Sequence, residues 1–292
     1  MTVLDFSEIK NFFPCAVALG NFESLHIGHS RIIEKTVSYA RKRGLVSAVY
    51  MYKNNYKSDK TLFSLDDRLV FIEKLGVDFV ILDEFTTEYA QISCEDFVNR
   101  YIKEKFNAEA VFVGYNYRFG KCAYGDVTLL KELCGEISVF GMDCVTVDGI
   151  GVSTTLIKSY LENGEVTKAN KMLGREYFVR GVVTSGRNVG TDLGFPTANI
   201  ENETILDHGV YATNVVVGSE VYKAITNVGT KPSFGIETVN IETHILDFEL
   251  DLYGKEIVVL FLEKMRKIIK FDSKEQLVLQ LEADKQRRRI LS

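Results

Sequence analysis

The chain has 292 residues, 46% of them hydrophobic and 26% charged, which suits a soluble globular protein with room for two domains. A formal net charge of -5 argues against a protein whose main work is gripping nucleic acid or an anionic membrane. Five scattered cysteines without a CxxC pair fit reduced thiols in a cytoplasmic protein better than a disulfide framework or a zinc site. No basic-then-apolar stretch reads as a signal peptide, and no apolar run approaches the roughly 20 residues that span a bilayer.

The first half alternates two textures. CAVAL (15–19), VSAVYMY (46–52), DFVIL (78–82), AVFVG (110–114) and ISVFG (137–141) are apolar runs of strand length. Residues 31–43, 65–75, 95–105 and 126–133 between them have helical spacing. This alternation predicts a parallel sheet with helices on both faces and a ligand site outside the carboxyl ends of the strands. Cys15 and Cys144 fall in apolar, strand-like runs and are expected to be buried and inert.

After residue 150 the texture changes. Residues 153–161 and 165–173 read as two short helices, the first opened by a Ser/Thr cap. YFVRGVVTSG, GVYATNVVVG, VYKAITNVG, TVNIETHILDF and EIVVLFLEKM then alternate β-branched and polar residues between Gly, Asn and Asp turns. Five or six consecutive strands predict a small antiparallel barrel. A last helix, 273 to about 290, offers Leu277, Leu281 and Ala283 for packing on it, with KQRRR (285–289) as a solvated face complementing the negative helix terminus. The expected domains are 1–173 and 174–292.

Two stretches carry chemistry. GNFESLHIGH (20–29) holds two of the chain's four histidines, His26 and His29, between a strand and a helix expected to begin near Ser30. Free amides and the positive dipole end at that point favour phosphate. Gly20 and Gly28 would let backbone approach a ligand. Paired imidazoles there can donate to the charge that builds on an α-phosphorus and its leaving pyrophosphate. No third His or Cys lies at ligand spacing, which argues against a metal centre at this turn.

GRNVGTDLGFPTANI (186–200) places Thr197 and Asn199 on one face of an extended segment behind Pro196. A hydroxyl and an amide oxygen are hard donors suited to Mg2+. The glycines at 186, 190 and 194 suggest a flap able to close over a nucleotide. As bare patterns, PTAN also reads as a turn, and Ser153-Thr154-Thr155 opening a helix reads as ordinary capping.

These stretches resemble the bifunctional prokaryotic riboflavin kinase/FAD synthetase family. GNFESLHIGH is similar to its GxFDGxHxGH loop, and SLDDRLVFIEKLGVDFVIL to a helix–strand passage. GYNYRFGKCAYGD (114–126) is similar to its G-x-[ND]-F-x-F-G loop, VSTTLIK (152–158) to I-S-S-T-x-I-R, and PTAN to the kinase signature. ITNVGTKPSFG, NIETHILDFELDLYGKEI and the closing FLEKMRKIIKFDSKEQLVLQLEAD follow in the family's order.

The resemblance implies an α/β architecture: an N-terminal Rossmann-like nucleotidyltransferase domain, then a C-terminal β-barrel riboflavin kinase domain with a terminal helix. It implies phosphorylation of riboflavin to FMN by Mg–ATP in the barrel, and adenylylation of FMN to FAD in the first domain with release of pyrophosphate. It further implies that Gly20, Phe22, His26, Gly28, His29 and Asn116 contact the nucleotide, with Ser153, Thr154, Thr155 and Lys158 lining the phosphate path. In the barrel it implies Thr197 and Asn199 as Mg2+ ligands, Gly194 in the flap, Glu242 as general base and Arg266 at the flavin. His244, on the same strand face as Glu242, either orients that carboxylate or packs. The implied partners are riboflavin, FMN and ATP, with no nucleic acid or membrane; oligomeric state stays open.

Departures from the family pattern temper one activity. FDG is Phe22-Glu23-Ser24 here, T-F-x-P-H-P is replaced by Tyr50-Met51-Tyr52-Lys53-Asn54-Asn55, and an Arg is Lys158. The expectation is therefore adenylyl transfer retained but weakened. A kinase with an inactive first half and a flavin-binding regulatory protein remain as alternatives.

Overall fold

The computed structural model describes residues 1–53, 61–184, 195–201, 204–233, 236–248 and 250–291. By contacts the chain divides into two units, Met1–Thr154 and Thr155–Ser292. No helix among the described residues is long and apolar enough to cross a membrane.

The first unit contains β1 (Thr2–Asp5), β2 (Cys15–Leu19), α1 (Ile27–Arg43), β3 (Val46–Tyr52), α2 (Leu65–Lys74) and β4 (Phe79–Asp83). Then come α3, an α-turn Cys94–Asp96 that widens into π-type turns over Phe97–Lys105, β5 (Ala108–Gly114), α4 (Val127–Cys134) and β6 (Ser138–Met142). A small hairpin, β7 (Thr146–Val147) and β8 (Ile150–Gly151), closes the unit. Six strands form an all-parallel sheet in the order β1-β4-β3-β2-β5-β6. Every residue of β2 is buried because helices cover both faces of this central strand, which is why it reads as an unbroken apolar run. The edge strand β1 escaped prediction: half-exposed TVLD gives no such run.

Helix α1 presents Ile32, Ile33, Thr36, Val37 and Ala40 to the sheet and ends at Gly44, whose φ of 68° is the left-handed cap. It begins at Ile27, earlier than its spacing suggests, because His26 caps it. Cys15 is buried as expected, its thiol donating to the Phe106 carbonyl at 3.2 Å and pushed up to about 12 by desolvation. Cys144 is not: it lies beyond the end of β6 and is exposed.

The second unit starts with α5 (Thr154–Glu162) and α6 (Val166–Leu173), followed by β9 (Tyr177–Val182), β10 (Ala198–Glu201) and β11 (Gly209–Val217). Next are β12 (Glu220–Ser233), β13 (Ile236–Ile245), β14 (Glu256–Arg266) and α7 (Lys274–Ile290). The strands are antiparallel in the order β10-β13-β12-β11-β14-β9. The sheet curls until its edges meet, where the Thr184 amide donates to the Asn199 carbonyl at 2.8 Å. At that seam a Cβ on Gly181 would lie 3.1 Å from Ile200, so glycine is what lets the strands approach. Fully buried Thr213, Thr226 and Thr243 link their hydroxyls across three strands at 2.8 and 2.9 Å. Helix α6 turns Val166, Ala169, Met172 and Leu173 inward, and its Asn170 amide donates to the Phe261 carbonyl of β14 at 2.8 Å.

Helix α7 docks only partly as expected. Leu277 and Leu281 are half-buried, but Ala283 is exposed, and the buried residues are Asp284 and Arg288. Arg288, fully buried, donates to the carbonyls of Thr213 (3.1 Å), Ala224 (3.2 Å) and Leu291 (3.0 Å) and to Asn214 Oδ1. The KQRRR run is thus not a solvated face throughout: strand carbonyls accept from two of its guanidinium groups, Arg288 and Arg287, the latter donating to the Met265 carbonyl at 2.9 Å. Replacing Arg288 by Met should cost about 3 kcal/mol, read as a lower urea midpoint, because several buried acceptors lose their donor. Thiol titration of the native protein should label exposed Cys122 and Cys144 quickly, with Cys15, Cys94 and Cys134 reacting only on unfolding.

Candidate active sites

In the first unit the strand order reverses between β2 and β5, so the loops leaving their carboxyl ends diverge and open a crevice. GNFESLHIGH leaves β2 and GYNYRFG leaves β5. His26 is the N-cap of α1, its Nδ1 accepting the His29 amide at 3.1 Å. An accepting Nδ1 places the His26 proton on Nε2, as a donor. The His29 ring stacks on it with centroids 3.7 Å apart and planes 15° from parallel, and Phe22 meets His29 edge-on at 5.3 Å.

The turn is strained where its rings are placed. Phe22 and Leu25 take φ values of 47° and 43° although neither is glycine. A Cβ on Gly20 would lie 3.1 Å from the Phe22 ring, and one on Gly28 3.0 Å from His26 Cε1. The two glycines therefore make room for these rings. Ser24, standing where the family pattern has glycine, does not have positive φ. Its buried hydroxyl instead meets Thr154 Oγ1 at 2.8 Å, tying the loop to the Ser153-Thr154 segment. Glu23 is also buried, and its charge favours the charged form of Arg68, whose pKa burial lowers. Arg68 donates to the carbonyls of Asn21 (3.4 Å), Tyr52 (3.5 Å) and Lys53 (3.2 Å), joining the exits of β2 and β3.

Where the family has T-F-x-P-H-P, the Tyr50 hydroxyl donates to Asp83 at 2.7 Å, Tyr52 to the Tyr89 hydroxyl at 2.7 Å, and Lys53 pairs with Asp5. Asn54 and Asn55 lie outside the described residues. Asn116 is exposed just past β5, with Oδ1 over Gly114. Ser153 and Thr154 are half-buried. Thr155 (exposed) and Lys158 (half-buried) ride on α5 in the second unit.

In the barrel, Asn199 on β10 pairs in register with Glu242 on β13, at the seam. Asn199 is buried at 4% exposure, Thr197 is exposed and Glu242 is half-buried. The Glu242 carboxylate accepts from Asn240 Nδ2 at 2.7 Å. His244 is engaged elsewhere, its Nδ1 2.9 Å from the Pro196 carbonyl and its ring against Phe195, and burial lowers its pKa. Of the two roles open to His244, packing is the one observed. Asn240 was missed; the only signal was its place on the same face of an alternating strand, two residues before Glu242. Gly194 and the other flap glycines lie outside the described residues. Arg266 donates from Nε and Nη2 to Asp284 of α7, at 3.0 and 2.7 Å to Oδ2. Among the described residues, no group of three His, Cys, Asp or Glu could hold a metal ion.

The cap predicts a tautomer. Two-bond proton–nitrogen spectra at neutral pH should find the His26 proton on Nε2, with Nδ1 bare; a protonated Nδ1 would contradict the cap geometry.

Comparison with known proteins covers both units. A family model described as FAD synthetase matches residues 8–156, and one described as riboflavin kinase matches residues 173–291. The bifunctional riboflavin kinase/FMN adenylyltransferase of Listeria monocytogenes is 34% identical over 92% of this chain and 90% of its own length. The Bacillus subtilis enzyme of the same name is 32% identical over 92% and 90%. A Streptococcus pneumoniae crystal structure described as a macrolide-efflux protein superposes with a TM-score of 0.92 at 28% identity, covering 100% of both chains. With both domains matched in the same order as strand reversal and barrel seam, the chain belongs to the bifunctional riboflavin kinase/FMN adenylyltransferase family.

Proposed function

We propose that the barrel transfers the γ-phosphoryl group of ATP to the 5′-hydroxyl of riboflavin, and that the first unit joins the resulting FMN to AMP. The functional boundary is taken at 173/174; the riboflavin kinase match covers residues 173–291. The observation that carries the reading is the register of Asn199 against Glu242, which sets a hard amide oxygen beside a carboxylate at the barrel seam.

In the kinase step the ribityl oxygen bonds to the γ-phosphorus, the bond from that phosphorus to the bridging oxygen breaks, and ADP leaves. The hydroxyl proton passes to Glu242. Thr197 and Asn199 would hold Mg2+; a hydroxyl and an amide oxygen suit an ion that keeps water and phosphates as its other ligands, and the buried Asn240 Oδ1, without a hydrogen-bond partner among the described residues, keeps the site oxygen-rich. Bound there, the ion would neutralise charge on the transferring phosphates. Gly194 is assigned to the flap over the nucleotide. Arg266 is assigned to the flavin side through its position on β14, steadied by Asp284.

In the adenylyl step an FMN phosphate oxygen bonds to the α-phosphorus of ATP and pyrophosphate departs. His26 donates from Nε2 to the charge that builds there, and His29, stacked on it, acts alongside. Phe22 and the two glycines shape that ring pair. Asn116, Ser153, Thr154, Thr155 and Lys158 serve the phosphates. That Ser24 needs no glycine conformation, and holds Thr154 instead, supports retention of this activity. Riboflavin, FMN and ATP are the proposed small-molecule partners, in the cytoplasm.

Two substitutions test the assignments. Glu242→Gln should lower FMN formation about 100-fold or more while FAD formation from supplied FMN is unchanged. His26→Asn keeps a capping oxygen but removes the Nε2 donor, so it should lower FAD formation from FMN about 100-fold with the unfolding midpoint preserved. Absence of FAD after incubating the unmodified protein with FMN, ATP and Mg2+ would end the adenylyltransferase reading.

A further inference from the structure

We infer that Asn240 is a positioning residue of the kinase site, its single amide group steering both the proton acceptor and the metal-facing amide. This rests on the reading of Glu242 as base and goes beyond it. Asn240 is buried at 6% exposure, and its Nδ2 lies 2.7 Å from Glu242 Oε1 and 3.5 Å from Asn199 Oδ1. Neither partner can exchange roles. A carboxylate oxygen offers no proton, and Asn199 directs its own Nδ2 to the Thr197 carbonyl at 3.4 Å, which leaves its oxygen facing Asn240.

The orientation of Asn240 follows from those two acceptors. Reversed, the amide would set an oxygen against two other oxygens. As it stands, Oδ1 is buried with no hydrogen-bond partner among the described residues. Leaving a buried oxygen in that condition costs stability, and buried polar groups without a partner are often found at functional sites. Two N–H bonds diverging from one planar nitrogen fix the direction of each acceptor relative to the other. Glu242 and Asn199 face each other across β10 and β13, so Asn240 sits diagonally to Asn199 and on the same strand face as Glu242. The strand pairing sets their separation, and the amide sets their aim.

Kinetics of Asn240→Ala and of the isosteric Asn240→Asp, which keeps an oxygen but removes the donor, test the inference on the full chain. The expected result is a fall of about 10- to 100-fold in kcat for FMN formation, with the riboflavin KM within about twofold and more Mg2+ needed for half-maximal rate. FAD formation from supplied FMN stays at the parent level. In a double-variant cycle, the loss from Asn240→Ala should shrink when Glu242 is already Gln, because Asn240 acts through that carboxylate. A kcat within twofold of the parent, a loss confined to KM, or losses that simply multiply in the double variant would overturn the inference. If Asn240→Ala fails to fold, Asn240→Asp carries the same reading. Failure of the base assignment looks different: Glu242→Gln alone would then keep forming FMN, whatever Asn240→Ala does.

Discussion

A parallel sheet whose strand order reverses must leave two neighbouring strands with loops that part company at their carboxyl ends. In this chain that pair is β2 and β5, and the first unit's recognisable motifs follow from it. Helix α1 starts directly above β2, so its free amides and its dipole point into the parting. The imidazole stack sits there because His26 is itself the cap. One ring nitrogen is committed to the helix, and the other is thereby obliged to carry the proton. The capping role and the chemical role proposed for this histidine are two ends of one ring.

The barrel solves a related problem without a helix terminus. Its polar groups come from adjacent antiparallel strands, where register decides which side chains share a face. Asn199, Asn240 and Glu242 form one connected group because β10 is paired to β13 with no irregularity over its length. Helix α7 docks on the barrel through Asp284 and Arg288. These bury charge against strand carbonyls and against Arg266, where an apolar stripe would be the ordinary means.

Much of this was legible beforehand. Central strands are covered on both faces, so CAVAL and VSAVYMY announced themselves as apolar runs with their observed bounds. The edge strand β1 is half-solvated and left no such trace. Helix α1 began earlier than its apolar spacing suggested, because an imidazole cap is not among the usual Ser, Thr, Asp or Asn signals. The buried face of α7 was unreadable for the opposite reason: Arg and Asp in a helix normally mark water, and only the barrel carbonyls and Arg266 reveal why they are inside. Asn240 was hidden because an amide on a strand carries no signal until the facing strand is known. Ser24 shows the limit of pattern matching: it breaks a glycine-bearing motif at a position where the backbone does not require glycine.

The seam has a consequence for how the barrel responds to its substrate. Asn199 uses its backbone carbonyl to latch β10 to Thr184 and its side chain to face Glu242, so one residue both shuts the barrel and equips it. A ligand bound at this amide would act as a clasp. Its binding free energy would be added to the closed form and withheld from any state in which the edge has peeled away.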